Sequence, residues 1–224
     1  MLRDMEQTAS GYRSALREGL ERLNLSLSEE QQDQLLAYLD LLFKWNRTFN
    51  LSGVRDMSQM LTRHLLDSLS LAPLLTGQRV LDVGTGPGLP GIPLAVCFPE
   101  KRFVLLDSNG KKTRFVFQAK LQLGLKNVVV HHGRVETFKD TSQVDTIVTR
   151  AFSSLVEMVM LTQHLLRTND SDQPRKVLAM KGQLPADELR LLPSWITPGR
   201  LVNVSVPGCD AERHIIELLT RNLE

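Results

Sequence analysis

Three features of the sequence predict an α/β fold: an open, mostly parallel sheet, an antiparallel hairpin closing it at the C-terminus, and a helical cap in front. From Arg79 onward, short β-branched or apolar runs alternate with amphipathic segments, the pattern of buried parallel strands in βαβ units. A glycine-rich turn, Gly84-Thr85-Gly86-Pro87-Gly88, follows the first of those runs. Before residue 77 the apolar period is helical instead. The expected division is a cap over 1–76 and a sheet domain over 77–224.

Taken in order, Ser28 and Gln31 form a capping box that starts a helix. Leu35, Leu36, Leu39, Leu42 and Phe43 then give it one apolar stripe. Asn46 to Val54, with Asn50, Ser52 and Gly53, reads as a loop, and Asp56 with Gln59 repeats the start signal before Leu61, Leu65 and Leu69. The first dozen or so residues read as an extension. Strands are expected at Val80–Val83, Phe103–Leu106, Val128–Val130, Thr146–Val148 and Val177–Met180. Helices are expected from about Gly88 to Cys97, Gly110 to Leu123 and Ser153 to Leu166. The tail, Leu201–Val206, a turn at Pro207-Gly208 and Arg213–Leu218, predicts the hairpin.

Composition sets limits. No apolar stretch approaches the roughly 20 residues that span a membrane, and Met1–Ser10 lacks the apolar core of a secretion signal. Cys97 and Cys209 form no disulfide framework, which fits a reducing cytoplasm and two buried free thiols. The net charge of +2 is too mild to announce a nucleic-acid binder. Between Ser108 and Val135, however, there is no acidic residue, while Lys111, Lys112, Arg114, Lys120, Lys126 and Arg134 occur. That stretch could guide a polyanion, although one solvated helix face explains it more simply.

The chemistry centres on Val80–Gly91. Glycines after a strand let backbone approach a ligand, and the following helix start offers unpaired amides. Asp82, two residues before Gly84, would repel a pyrophosphate. It would instead favour the ammonium and sulfonium of S-adenosylmethionine, unless it only accepts local amide bonds. Asp107 ends the next strand, where a carboxylate grips ribose hydroxyls; otherwise it caps the helix starting near Gly110. Gly133-Arg134-Val135-Glu136 would line the adenine, and Arg150 would stand at the pocket mouth at the end of the fourth strand. These features together predict a class I, Rossmann-like S-adenosylmethionine methyltransferase sheet.

Absences narrow the acceptor. Thr149-Arg150-Ala151-Phe152 stands where amino-group methylases keep Asn/Asp-Pro-Pro-Tyr, neither cysteine is placed as a pyrimidine nucleophile, and the five histidines show no metal-ligand spacing. Such a site suits an acceptor with a ready lone pair and no proton to lose, such as guanine N7. A small-molecule methyltransferase and a non-catalytic RNA-binding module are the competing readings. A nicotinamide oxidoreductase is disfavoured by Asp82 and the glycine pattern.

Asp82-Val83-Gly84-Thr85-Gly86-Pro87-Gly88-Leu89-Pro90-Gly91 resembles the glucose-inhibited division protein B family. So do Asp107-Ser108-Asn109-Gly110-Lys111-Lys112, Arg150-Ala151-Phe152 and Lys181-Gly182. Trp45-Asn46-Arg47, Asn50-Leu51-Ser52, Arg63-His64-Leu65-Leu66-Asp67-Ser68 and Glu212-Arg213-His214 extend the likeness over about residues 28 to 218, with Ser52 where many relatives carry Thr. Those are bacterial methyltransferases of guanine N7 in 16S rRNA. The resemblance implies a cofactor site at Gly84, Leu89, Asp107, Val135, Glu136 and Arg150, to which the glycine turn itself adds Asp82 and Gly86 as candidates. It implies that Arg47, His64, Asp67, Arg150 and Lys181 face the RNA, although a packing pair explains His64 and Asp67 equally well. A monomer acting on 16S rRNA or the small ribosomal subunit, without metal or membrane, is the expectation.

Overall fold

The computed structural model describes residues 2–139, 143–150, 152, 154–167 and 174–221, with side chains from residue 10 onward. The chain opens with α1 (Leu2–Arg22) and α2 (Glu29–Phe49). Next come α3 (Met57–Met60), a π-helical turn (Leu61–Leu66) and α4 (Asp67–Leu69), which follow one another without a break. The sheet region then runs β1 (Arg79–Val83), α5 (Gly91–Cys97), β2 (Arg102–Asp107), α6 (Gly110–Gln122), β3 (Val128–His132) and β4 (Thr146–Thr149). It continues with α7 (Leu155–Leu161), α8 (Gln163–Leu166), β5 (Lys176–Lys181), α9 (Ala186–Arg190), β6 (Ile196–Asn203) and β7 (His214–Thr220).

The seven strands form one sheet in the order β3-β2-β1-β4-β5-β7-β6. β1 to β5 are parallel, and β7 runs antiparallel between β5 and β6. The predicted architecture, a mostly parallel sheet closed by an antiparallel C-terminal pair, is present. The strand order reverses beside β1, so β1, β2 and β4 end around a crevice at their carboxyl edge, where open α/β sheets bind ligands.

The N-terminal helices are joined to the sheet by shared apolar burial. One core cluster contains Leu16, Leu35, Leu42 and Leu65 from the cap with Val80, Phe103, Phe115 and Val128 from the sheet region. Each fully buried side chain of this size contributes about 1.5–3 kcal/mol relative to exposure. A second cluster on the other face packs Leu81, Ile147, Met158 and Val177.

Several boundaries differ from the sequence expectation for local reasons. α1 reaches back to Leu2, so the extension is part of a helix. α2 continues through Asn46 to Phe49 and stops where Asn50 turns left-handed (φ 49°, ψ 53°). α5 starts at Gly91 rather than Gly88, because Gly88 sits at φ +95°, outside helical space. The helix expected over 153–166 is two. Ser154 caps α7 through the Glu157 amide, and α7 ends before Thr162, whose hydroxyl donates to the Met158 carbonyl (2.8 Å). β6 and β7 are longer than expected and are joined through residues 204–213. Ala151 and Ser153, named in the sequence reading, lie outside the described residues. Both cysteines are half-buried rather than buried, and desolvation pushes the Cys97 thiol up to about 12.

Candidate active site

The glycine loop is a backbone construction pinned by two carboxylates. Asp82, on β1, is fully buried; its Oδ2 accepts from the Thr85 hydroxyl (2.6 Å) and the Gly91 amide (2.8 Å). A Cβ on Gly91 would lie 2.1 Å from Leu105 Cδ2 and 2.7 Å from Asp82 Oδ2, so only glycine lets the helix start so close to the strand. Asp107, at the end of β2, accepts from the Gly86 amide (2.8 Å) and the Asn109 amide (2.7 Å). Capping of α6 falls to Asn109, whose side chain accepts from the amides of Lys111 and Lys112. The bland role considered for Asp107 is therefore filled by its neighbour.

From the cap, the Tyr38 hydroxyl donates to the Pro87 carbonyl (2.9 Å), bracing the loop from behind. Burial pushes the Tyr38 phenol well above its ordinary range, so it holds its proton for that bond. Burial likewise pushes the Asp82 carboxyl up to about 7, against the opposing pull of the Thr85 and Gly91 bonds.

A cavity of about 360 Å³ opens beside this loop. Val83, Gly84, Asp107, Val135, Glu136 and Phe152 are among its lining residues. Of the residues predicted to bind a cofactor, Gly84, Asp107, Val135 and Glu136 thus converge on one space. Gly86 shapes that space from outside, by its amide bond to Asp107. Asp82 and Leu89 sit beneath the loop, 0% and 2% exposed, and neither is among the lining residues. Asp82 orders the turn, and Leu89 packs in the core. The Asp82 Oδ1 is buried without a hydrogen-bond partner among the described residues.

Arg150 is not in that cavity. It lines a second one, of about 320 Å³, together with Arg63, His64, Asp67, Lys181 and Arg213. Asp67, its side chain 4% exposed, is the pivot. Its Oδ1 accepts from Arg213 Nε (3.0 Å) and its Oδ2 from an Arg150 terminal nitrogen (3.4 Å), which also donates to the Arg63 carbonyl (3.2 Å). Three chain segments, the cap, the end of β4 and the approach to β7, are thereby tied to one carboxylate. Lys181, at the end of β5, donates to the Phe152 carbonyl (3.3 Å) and pairs with Glu188 of α9 (3.5 Å). Glu188 also accepts from the Leu155 amide.

His64 and Asp67 belong to the helical run that contains the π-turn, a rare element that often marks functional positions. Both histidine nitrogens are engaged. Nδ1 faces the Arg63 carbonyl (3.1 Å), which can only accept, so Nδ1 carries the hydrogen. Burial, with the positive Arg150 nearby, pushes the ring down to about 4, so it is neutral near pH 7. Nε2 then accepts from the Ser52 hydroxyl (2.6 Å). Asn46 holds the Ser52 loop in turn: its Oδ1 accepts from the Ser52 amide (2.7 Å) and its Nδ2 donates to the Val54 carbonyl (2.8 Å).

Arg47 is exposed in the last turn of α2 and does not line either cavity. Conversely, Arg63 and Arg213 enter the second cavity without having been singled out. Both stand inside quoted motifs, but local spacing cannot tell that Arg213 meets a carboxylate 146 positions earlier. Among the described residues no group of three or more His, Cys, Asp or Glu could hold a metal ion. No helix among the described residues is long and apolar enough to cross a membrane.

Comparison with known proteins agrees with this geometry. The family model described as rRNA small subunit methyltransferase G matches residues 31–216. A ribosomal RNA small subunit methyltransferase G from Ectopseudomonas mendocina is 51% identical, covering 91% of this chain and 94% of its own length. One from Pseudomonas aeruginosa (strain LESB58) is 48% identical over 96% of this chain and 98% of its own. Among solved structures, a SAM dependent methyltransferase from Aquifex aeolicus superposes with a TM-score of 0.55 at 18% identity, covering 77% of this chain and 97% of its own. The O-methyltransferase TomG from Streptomyces achromogenes, solved in complex with SAM, gives 0.56 at 17% identity, covering 88% and 92%. With the sheet order, the glycine loop and these matches in agreement, the chain belongs to the rRNA small subunit methyltransferase G family, the glucose-inhibited division protein B family that its motifs resemble.

Proposed function

We propose that this chain transfers the methyl group of S-adenosylmethionine to N7 of a guanine in 16S rRNA. The observation that carries the proposal is the pairing of two unlike cavities along one sheet edge: a glycine-lined, carboxylate-bearing one beside a cation-rich one.

The first cavity fits the cofactor. Its volume lies in the range of small-ligand sites. The Asp107 and Glu136 carboxylates suit hydroxyl groups, and Val135 with Phe152 suits an apolar ring. The unpartnered Asp82 Oδ1 suits a cation near the loop. Gly84, Asp107, Val135 and Glu136 would hold the molecule, with Asp82, Gly86 and Leu89 keeping the loop in shape. When bound, S-adenosylmethionine supplies an electrophilic methyl group on a sulfonium.

The second cavity fits a nucleotide acceptor. Arg63, Arg150 and Arg213 line it with the single carboxylate of Asp67, and Lys181 pairs with Glu188, so positive charge remains in excess for phosphate. Asp67 aims two of those guanidiniums and fixes their spacing. Guanine N7 has a free lone pair and no proton to lose, so the transfer asks for no base. His64 supplies none: its nitrogens are committed to Arg63 and Ser52. Because the ring is uncharged, it adds no cation where the purine acquires one. Division into a cap over 1–76, which would meet the RNA with Arg47 on its rim, and a catalytic region over 77–224 belongs to this reading. So does action as a cytoplasmic monomer, without metal, on 16S rRNA or the small subunit.

The test is transfer of labelled methyl from S-adenosylmethionine to unmodified 16S rRNA and to small-subunit particles, followed by nucleoside analysis. Label in 7-methylguanosine is expected. Label in another nucleoside overturns the N7 assignment, and measurable cofactor binding with no label in RNA overturns the rRNA assignment.

A further inference from the structure

Four aromatic rings run in a chain from the glycine loop to the protein surface. Tyr38, bonded to the Pro87 carbonyl, lies 6.2 Å from Phe115 of α6; Phe115 lies 5.6 Å from Trp45, and Trp45 lies 5.2 Å from Phe49. The first two rings are fully buried, Trp45 is half-buried, and Phe49 is 45% exposed. Phe49 carries this ladder out to water in the last turn of α2.

Its surroundings are cationic. Asn50, the next residue, accepts from Arg55 (3.2 Å), and both Arg47 and Arg55 are exposed. α2 and α6 run side by side, with Gln34 bonded to the Leu123 carbonyl and Trp45 touching Phe115. Lys111, in the first turn of α6, is exposed as well. Phe49 also stands three positions after Asn46, on the same helix side, and Asn46 anchors the loop that carries Val54 to the cation-rich cavity.

An exposed aromatic face among cations is the arrangement that binds unpaired nucleic-acid strands: the ring stacks a base while the cations meet phosphates. We propose that Phe49 stacks an unpaired base of the RNA substrate next to the acceptor nucleotide. It acts as a positioning residue, held rigid by the ladder behind it. The proposal rests on the rRNA reading above and adds a contact to it.

The test compares Phe49→Leu and Phe49→Tyr with the wild type, using unmodified small-subunit particles or 16S rRNA as acceptor. Leucine keeps apolar contact with Trp45 but offers no ring to stack; tyrosine keeps the ring. Loss of one base–aromatic stack predicts an RNA KM raised on the order of tenfold in Phe49→Leu. The kcat, S-adenosylmethionine affinity and Tm should stay near wild type, and Phe49→Tyr should match the wild type throughout. An unchanged RNA KM in Phe49→Leu, with active wild type, overturns the stacking role alone. So does a rise shared equally by Phe49→Tyr. A wild-type protein that neither binds nor methylates the RNA overturns the rRNA reading, and this proposal with it.

Discussion

The two cavities are built in opposite ways. The glycine-lined one is built around a backbone loop whose pinning carboxylates and α6 cap all fall between residues 82 and 112, and it is completed by residues 133–136 and Phe152. The cation-rich one is made of side chains that arrive from residues 63–67, 150, 181 and 213, and it is organised by one carboxylate. Hydrogen bonds between neighbouring strand ends hold the loop of the first in shape, with Tyr38 bracing it from the N-terminal helices. The second exists only once the cap, β4, β5 and β7 are all in place. This difference predicts that substitutions on one side should leave the other measurable.

The largest separation is expected from Asp107→Ala. It strips the acceptor from the Gly86 and Asn109 amides, each costing about 1–3 kcal/mol if left unpaired in the interior. S-adenosylmethionine affinity by calorimetry should fall about 100-fold or more, while RNA affinity in filter binding stays within a factor of about two to three. Gly91→Ala strikes the same region through packing. Its Cβ has no room beside Leu105 and Asp82, so stability should drop by about 1–3 kcal/mol, seen as a Tm lower by about 2–4 °C for each.

Asp82 makes a smaller, pH-dependent prediction. Its folded pKa, near 7, is raised above the unfolded value. Its contribution to stability is therefore full below about pH 4 and is lost as pH rises through 7. Relative to Asp82→Asn, the wild type should lose stability between about pH 4 and 7. A bound cation favours the ionised carboxyl, so wild-type affinity for S-adenosylmethionine should rise over pH 6 to 8 and flatten in Asp82→Asn. His64 has the opposite sign: its depressed pKa gives stability that is present above about 6.5 and lost as pH falls toward 4. Ser52→Ala, which removes its hydroxyl partner, should show the smallest effect, about 0.5–1.5 kcal/mol, with Ser52→Thr near wild type.

The same contrast explains what was legible in the sequence. The strand runs, the Ser28 capping box and the glycine loop are contiguous signals, and all reappear in the fold. So does the convergence of Asp107 with Val135 and Glu136, because successive parallel strands end side by side. Asp82 was legible as important, but its direction was not: burial under the turn depends on Gly91 approaching from above. The π-turn carries no sequence signal and went unforeseen. Arg63 and Arg213 were in view only as motif letters, since a pairing 146 positions apart leaves no local trace. Arg150, expected at the pocket mouth and named for both the cofactor and the RNA side, lines the cation-rich cavity and not the glycine-lined one.

The independence of the two regions is tested most directly by Asp67→Asn, with cofactor and RNA titrated separately. Asparagine keeps the size of the side chain but loses the charge that holds Arg150 and Arg213. The account predicts a KM for RNA raised on the order of tenfold or more, with S-adenosylmethionine affinity unchanged within about twofold. A cofactor affinity that falls as far as the RNA affinity would contradict it, because the two cavities would then be one cooperative site.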